Sequence, residues 1–431
     1  MTPFQQRRAQ VLERLEGALL LLPAAQVFLR NGDVEHEYRQ HSDFMYLTGF
    51  EEPECMLALG AGEHPATLFL RERNPEREQW DGARLGVEAA PAALALDRAL
   101  PISQFEAVLP SLLEGHARLV YRLGENEALD RQVIAAISGL RRRSRTGAEW
   151  PVEIVDPAPL LHEMRLIKDE FELEQMGHAA QITAAGYAAL FAAVRPGLME
   201  YELEAVLRGE FRRGGSPREA YSTIVGSGPN ATVLHYVRND RRVQEGDLVL
   251  VDAGCEFGGY ASDVTRTFPA NGRFSPAQRA LYELVLAAQL AAIDAVRPGA
   301  TLEEVHFAAL VVLVDGLIEL GLCKGSRDEV IATGTYRPYY MHRTSHWLGM
   351  DVHDVGRYFV DGRHRALAPG MVLTVEPGLY VSPTADCDER YRGIGIRIED
   401  NVVVAAEGPA RVLTTAIPKS IAELEAACSR R

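Results

Sequence analysis

A chain of 431 residues, 47% hydrophobic and 24% charged, has globular composition and is too long for one ordinary domain, so two are expected. Its net charge of −15 excludes nucleic-acid binding through bulk electrostatics. The apolar run Leu19-Leu20-Leu21-Leu22 stops at Pro23, far too short to span a bilayer, so no membrane association is expected.

The N-terminus, Met1 to Arg8, leads into a helical pattern over residues 5–17 and does not read as a signal peptide. The five cysteines (Cys55, Cys255, Cys323, Cys387, Cys428) are scattered, with no metal-ligand or redox spacing. Together these features predict reduced thiols and a cytoplasmic protein. Gly17 to Phe28 reads as a buried strand. Cys55–Leu59 and Ala66–Leu70 read as two more, joined by a Gly-rich turn. Helical patterns near Ala89–Leu96, Phe105–Leu113 and Leu129–Leu140 alternate with strands near Leu119–Tyr121 and Val152–Val155. Such alternation predicts a three-layer α/β domain. Asp156-Pro157-Ala158-Pro159 breaks the pattern, and the domains are taken as residues 1–165 and 166–431. Lys168 to Val194 then reads as one long helix.

The second domain repeats itself. Ala193-Val194-Arg195-Pro196-Gly197 recurs as Ala295-Val296-Arg297-Pro298-Gly299, each followed by a helix, Tyr201–Arg213 and Leu302–Leu320. Gly246 to Asp252 parallels Gly370 to Glu376, with a carboxylate six residues after the glycine in both copies. A match in motif order argues for duplication, an approximate two-fold axis, and a site between the halves.

That site announces itself through acids. Leu248–Val251 and Val264–Phe268 read as strands of a hairpin. A turn at Phe257-Gly258 sets Asp252 directly opposite Asp263, with Cβ atoms roughly 5 Å apart. Two carboxylates that close repel unless cations lie between them, and a pair of metal ions about 3.5–4 Å apart would fit. In the second copy Glu376 can lie near Glu399, and Arg397, two residues earlier, faces the same way. A histidine-rich stretch holds His342, His346 and His353, and His235 stands alone. Four carboxylates with one imidazole suit Mn²⁺, Co²⁺ or Zn²⁺. The residues themselves do not say which histidine is the ligand.

Taken together, Leu248–Phe268, Ser345–Gly356, Thr374–Tyr380 and Tyr391–Asp400 resemble the Xaa-Pro aminopeptidases (aminopeptidase P) of the pita-bread metallopeptidase superfamily, which also holds prolidase and methionine aminopeptidase. Tyr38 to Phe50 extends the resemblance into the first domain, which one-domain methionine aminopeptidases lack. The resemblance implies a pita-bread catalytic domain behind an N-terminal domain serving oligomerisation and cleft access. It implies Asp252, Asp263, His346, Glu376 and Glu399 as ligands of two divalent ions, normally Mn²⁺, with Asp263 and Glu399 bridging. His353 and His235 match histidines that contact the scissile peptide. Tyr221, His342 and Arg397 match a proline pocket, and Tyr380 a cleft tyrosine. Asp33 matches an acid near the cleft mouth, and Trp80 a tryptophan that reaches a neighbouring subunit's site in a homo-oligomer, a dimer or tetramer. Arg343 and Thr344, beside His342, are not hallmarks of the family.

The implied reaction removes the first residue of peptides with proline second, by attack of hydroxide held on the two metals, with Glu376 managing the water proton and His353 supporting the oxyanion. The rival readings are prolidase, which takes only dipeptides, a non-catalytic pita-bread binding protein, and a dinuclear phosphoesterase. No Lys or Arg cluster for phosphate surrounds Asp252, which weighs against the last.

Overall fold

The computed structural model describes residues 1–429. The chain forms two compact units, Met1–Met164 and the remainder from Arg165 onward.

In the first unit a six-stranded mixed sheet runs in the order Arg98–Pro101, Ala66–Leu70, Met56–Leu59, Leu19–Pro23, Arg118–Val120, Glu153–Val155. Leu19 and Leu21 face a core closed by helices Phe105–Leu113 and Glu127–Arg142. Leu20 and Leu22, pointing the other way, are buried too. Both faces of the central strand are therefore covered, which is why it reads as an unbroken leucine run. The strand is shorter than predicted and ends at Pro23, which has no N–H to extend the ladder. An exposed two-stranded hairpin, Leu29–Asn31 with Val34–Glu35, follows just beyond the predicted strand.

The second unit contains the duplication as architecture. Helices Glu170–Ala193 and Glu200–Arg213 pack as one pair, and Pro276–Ala295 with Leu302–Glu319 as the other. Each first helix stops ahead of an Arg-Pro-Gly, where proline disfavours helical backbone and Gly197 (φ 96°) or Gly299 (φ 84°) reverses the chain. Even single hydrogen bonds repeat: Gly197 N–H donates to the Val243 carbonyl, and Gly299 N–H to that of Leu367. Strand Leu248–Asp252 lies between Ile224–Ser227 and Thr265–Pro269. Strand Val372–Val375 likewise lies between residues 344–348 and Asp400–Val403.

The first acid hairpin differs from expectation in register. Asp252 pairs with Thr265, and the turn is Gly258-Gly259, with φ 58° and 82°. A two-residue turn of the favoured twist needs positive φ at both central positions, so two glycines win over Phe257-Gly258. Asp263 thus sits two residues along from the partner of Asp252, on the same face and diagonal to it. In the second hairpin, Val375 pairs with Asp400 and Gly378 with Arg397, so the shared register sets Glu376 opposite Glu399. None of the described helices is long and apolar enough to cross a membrane.

The two hairpins are fastened by a buried arginine. Arg266, 0% exposed, donates to the backbone carbonyls of Thr265, Glu399, Ile417 and Pro418 and to the Asp400 carboxylate at 2.8 Å. Asp400 also receives Lys419 and Gln289. Removing one partner of a buried ion pair strands the other charge, typically at about 3–5 kcal/mol. Arg266→Met is therefore expected to lower unfolding free energy by roughly that amount in denaturant titration; a change under ~1 kcal/mol would mean that Lys419 alone neutralises Asp400.

Candidate metal centre and cleft

A cleft of about 780 Å³ in the second unit is lined by Asp252, Asp263, His346, Glu376 and Glu399, together with His235, His342, His353, Tyr221 and Arg397. The sequence thus placed ten of its candidate residues on one surface. Each arrives from a separate element: Asp252 from the end of its strand, Asp263 from the returning hairpin arm, Glu376 and Glu399 from the second hairpin, His346 from the segment paired with Val372–Val375.

One donor atom each from Asp263, His346 and Glu399 fall within 4.8 Å of one another. Nε2 of His346 lies 3.4 Å from Oδ2 of Asp263 and 3.5 Å from Oε1 of Glu376. Nδ1 of His346 bonds the Trp347 carbonyl at 3.0 Å. That carbonyl can only accept, so the Nδ1 proton is fixed there and Nε2 is the nitrogen turned toward the acids. The structure thereby separates histidines that the sequence could not rank. His353 is outside the cluster, its ring packed edge-on against His346 at 4.5 Å.

Asp252 joins through a phenol. Tyr221 Oη lies 2.6 Å from Oδ1 of Asp252 and 2.5 Å from Oδ1 of Asp263. A phenol has one proton to give, so the second short contact requires either a proton on an acid or a cation beside it. Arg397 holds the other Asp252 oxygen at 2.6 Å and also donates to Tyr380 Oη and Thr265 Oγ1. It is 3% exposed, a brace behind the acids as well as a wall of the cleft. Tyr380 is not a cleft-lining residue as expected; it lies buried behind the wall, its hydroxyl 2.9 Å from Nε2 of His342 and from Arg397.

The buried acids press on one another electrostatically. Burial, then Asp263 and Glu376, push Glu399 well above the carboxylate range. Burial also raises Asp252 against the pull of Arg397, and pushes Glu376 up to about 7 despite His346. Burial and Arg397 hold His342 down near 4, neutral at physiological pH. Four acids and one nearby guanidinium leave an excess of buried negative charge. Hard oxygen donors with one imidazole nitrogen, converging within reach of a common centre, are the donor set that divalent cations satisfy. Divalent cations therefore fit these residues.

Supports that the sequence did not single out hold the acids in place. Asn401 accepts the Asp263 N–H at 3.1 Å and donates to its carbonyl, and Thr265 Oγ1 donates to Glu399 at 2.7 Å. Arg165 and Lys168 grip Asp354 at 2.6 and 2.8 Å, and the Asp354 N–H donates to the Trp347 carbonyl, closing the loop between His346 and His353. The proximity of Asp354 to His353 was the one visible signal for this group. Asp33 and Trp80 belong to the first unit. Asp33 lies in the turn of the exposed hairpin, and Trp80 is 84% exposed on helix Pro75–Asp81.

Known proteins resemble the chain over nearly its whole length. Residues 174–406 match the model of metallopeptidase family M24, and residues 4–121 that of the aminopeptidase P N-terminal domain. The chain is 45% identical to the Xaa-Pro aminopeptidase of Escherichia coli K12, over 98% of this chain and 96% of that one. It is similar to the solved structure of aminopeptidase PepP from Pseudomonas aeruginosa (49% identity, TM-score 0.97, covering 99% and 97% of the two chains). It is also similar to zinc-substituted E. coli aminopeptidase P in complex with product (44% identity, TM-score 0.96, covering 100% and 98%). The chain therefore belongs to metallopeptidase family M24, as a member of its Xaa-Pro aminopeptidase (aminopeptidase P) group.

Proposed function

We propose that this protein is a metal-dependent aminopeptidase that removes the first residue from peptides with proline in the second position. The observation that carries the reading is the meeting of Asp252, Asp263, His346, Glu376 and Glu399 in a single cleft that also holds a neutral, ring-sized wall at His342. Those five side chains would hold two divalent cations, for which Mn²⁺ is proposed and Co²⁺ or Zn²⁺ are alternatives. When bound, the ions would supply a water acidified to a pKa of about 7 and Lewis-acid stabilisation of carbonyl charge.

The chain's own groups divide the remaining work. Glu376 is the most open of the four acids, its side chain 17% exposed against 12% for Asp252 and 6% for Asp263. It is placed to take a proton from the attacking water and pass it on. His353 supports the oxygen of the scissile carbonyl, and His235 orients the peptide or delivers a proton. The free amine of the substrate sits near Asp252, which limits cleavage to the first residue. The scissile nitrogen belongs to a tertiary amide without N–H, so recognition of proline must work by shape. Tyr221, His342 and Arg397 form that wall, with Tyr380 fixing two of them from behind. The substrate roles of Asp33 and Trp80 rest on the family alone. A homo-oligomer, dimer or tetramer, would cover Trp80, and five unpaired thiols suit a reducing compartment, the cytoplasm.

Chelated enzyme should be inactive on an Xaa-Pro-Xaa tripeptide and regain turnover with Mn²⁺; cleavage of Xaa-Pro dipeptides alone would make the protein a prolidase. Asp263→Asn and Glu399→Gln should each lose bound metal, measured by elemental analysis, and nearly all activity, while circular dichroism stays unchanged. Full turnover in either variant contradicts the ligand assignment. His353→Ala should keep its metals and lose roughly 10²–10³-fold in kcat; loss of metal instead would exchange the roles of His346 and His353.

A further inference from the structure

Glu200 opens helix Glu200–Arg213 and is 0% exposed. An ion with no solvent is costly unless every lone pair is met. Here the donors all come from one stretch, residues 227–241. The Ser227 N–H and hydroxyl reach Oε1 at 2.7 Å each, with Asn230 Nδ2 at 3.2 Å. The Tyr236 hydroxyl and the Arg241 N–H reach Oε2 at 2.8 and 2.9 Å. One carboxylate therefore pins both ends and the middle of this segment.

The same segment carries Leu234, His235 and Val237 to the cleft, while Tyr236, between them, turns back to Glu200. The His235 ring itself makes no hydrogen bond among the described residues and is exposed, so only its backbone can set its position. Asn239, at φ 50°, adds a second tether from the same helix, donating to Glu204 at 2.7 Å.

The duplication shows that the fold does not need this acid. The position equivalent to Glu200, three residues after the repeated Arg-Pro-Gly, is Leu302, packed against the hydrophobic core. An apolar side chain serves the architecture in one half. In the other half the chain buries a charge where a loop must be held over the cleft.

We propose that Glu200 is the positioning residue of His235, acting through Tyr236 and the 227–241 backbone. The inference rests on the reading that His235 faces the scissile peptide. Kinetics with an Xaa-Pro-Xaa tripeptide and Mn²⁺-loaded enzyme test it, comparing wild type, Glu200→Gln, Tyr236→Phe, His235→Ala and the Glu200→Gln/His235→Ala double variant. Glu200→Gln should lower kcat by about 10- to 100-fold, as expected for a misplaced catalytic-site group, with metal content retained. Tyr236→Phe should follow in the same direction with a smaller loss, and carries the test if Glu200→Gln does not fold. In the His235→Ala background the Glu200→Gln loss should vanish. Amide exchange should speed up over residues 228–241 and stay unchanged over 344–356. Losses that simply multiply in the double variant, or exchange that rises everywhere alike, overturn the proposal. An inert wild type with the same local exchange contrast would overturn the peptidase reading and leave the anchor standing.

Discussion

Four carboxylates crowded beside one imidazole, away from water, cannot all remain charged unaided, and the second unit is built around that difficulty. Arg397 neutralises one side of Asp252, Tyr221 spans Asp252 and Asp263, and Thr265 caps Glu399. Behind these, Asn401 holds the Asp263 backbone and Arg266 the Glu399 carbonyl. The arrangement fixes the acids in geometry without cancelling their charge. What remains uncancelled is the affinity for divalent cations on which the family's chemistry depends.

Duplication supplies the symmetry of the centre, and departures from symmetry supply its chemistry. The helix pairs, the reversing glycines and the strand-terminal acids recur in both halves. Asp252 faces a threonine across its hairpin, whereas Glu376 shares its register with Glu399. His346 has no histidine counterpart on Ile224–Ser227, and Glu200 has a leucine for its twin. Each broken equivalence involves a cleft residue or a group that holds one, where packing requirements alone would have kept the copies alike.

The cleft's walls also show how a neutral surface is kept next to a charged one. His342 is held unprotonated by burial and by Arg397, and is tied to the buried Tyr380. A proline ring offers little to hydrogen-bond, so an uncharged imidazole face at His342 suits the proposed proline site. The ion group of Arg165, Lys168 and Asp354 performs the equivalent service for the loop between His346 and His353, fixing a turn whose Val352 and His353 line the cleft.

Helices, the unbroken leucine strand, the repeated Arg-Pro-Gly and the acids at the strand ends were all legible from local chemistry, because each reflects periodicity, turn propensity or a motif resemblance within a short window. The turn itself was misplaced by one residue: a glycine at one central position looked sufficient, while the hairpin's twist used two. Which histidine turns Nε2 toward the acids depended on a hydrogen bond to the Trp347 carbonyl, whose direction no spacing reveals. Tyr380 was placed in the cleft by resemblance and stands behind it, and Asn401, Thr265 and Glu200 went unremarked because a polar residue on a strand or helix looks solvated until its neighbours are known. Residue types and their order were enough to indicate the family. Register, tautomer and the partners of buried charges came only from packing: two glycines of positive φ set the first register, an adjacent carbonyl the tautomer, and groups well over a hundred residues away the partners of Arg266 and Arg397.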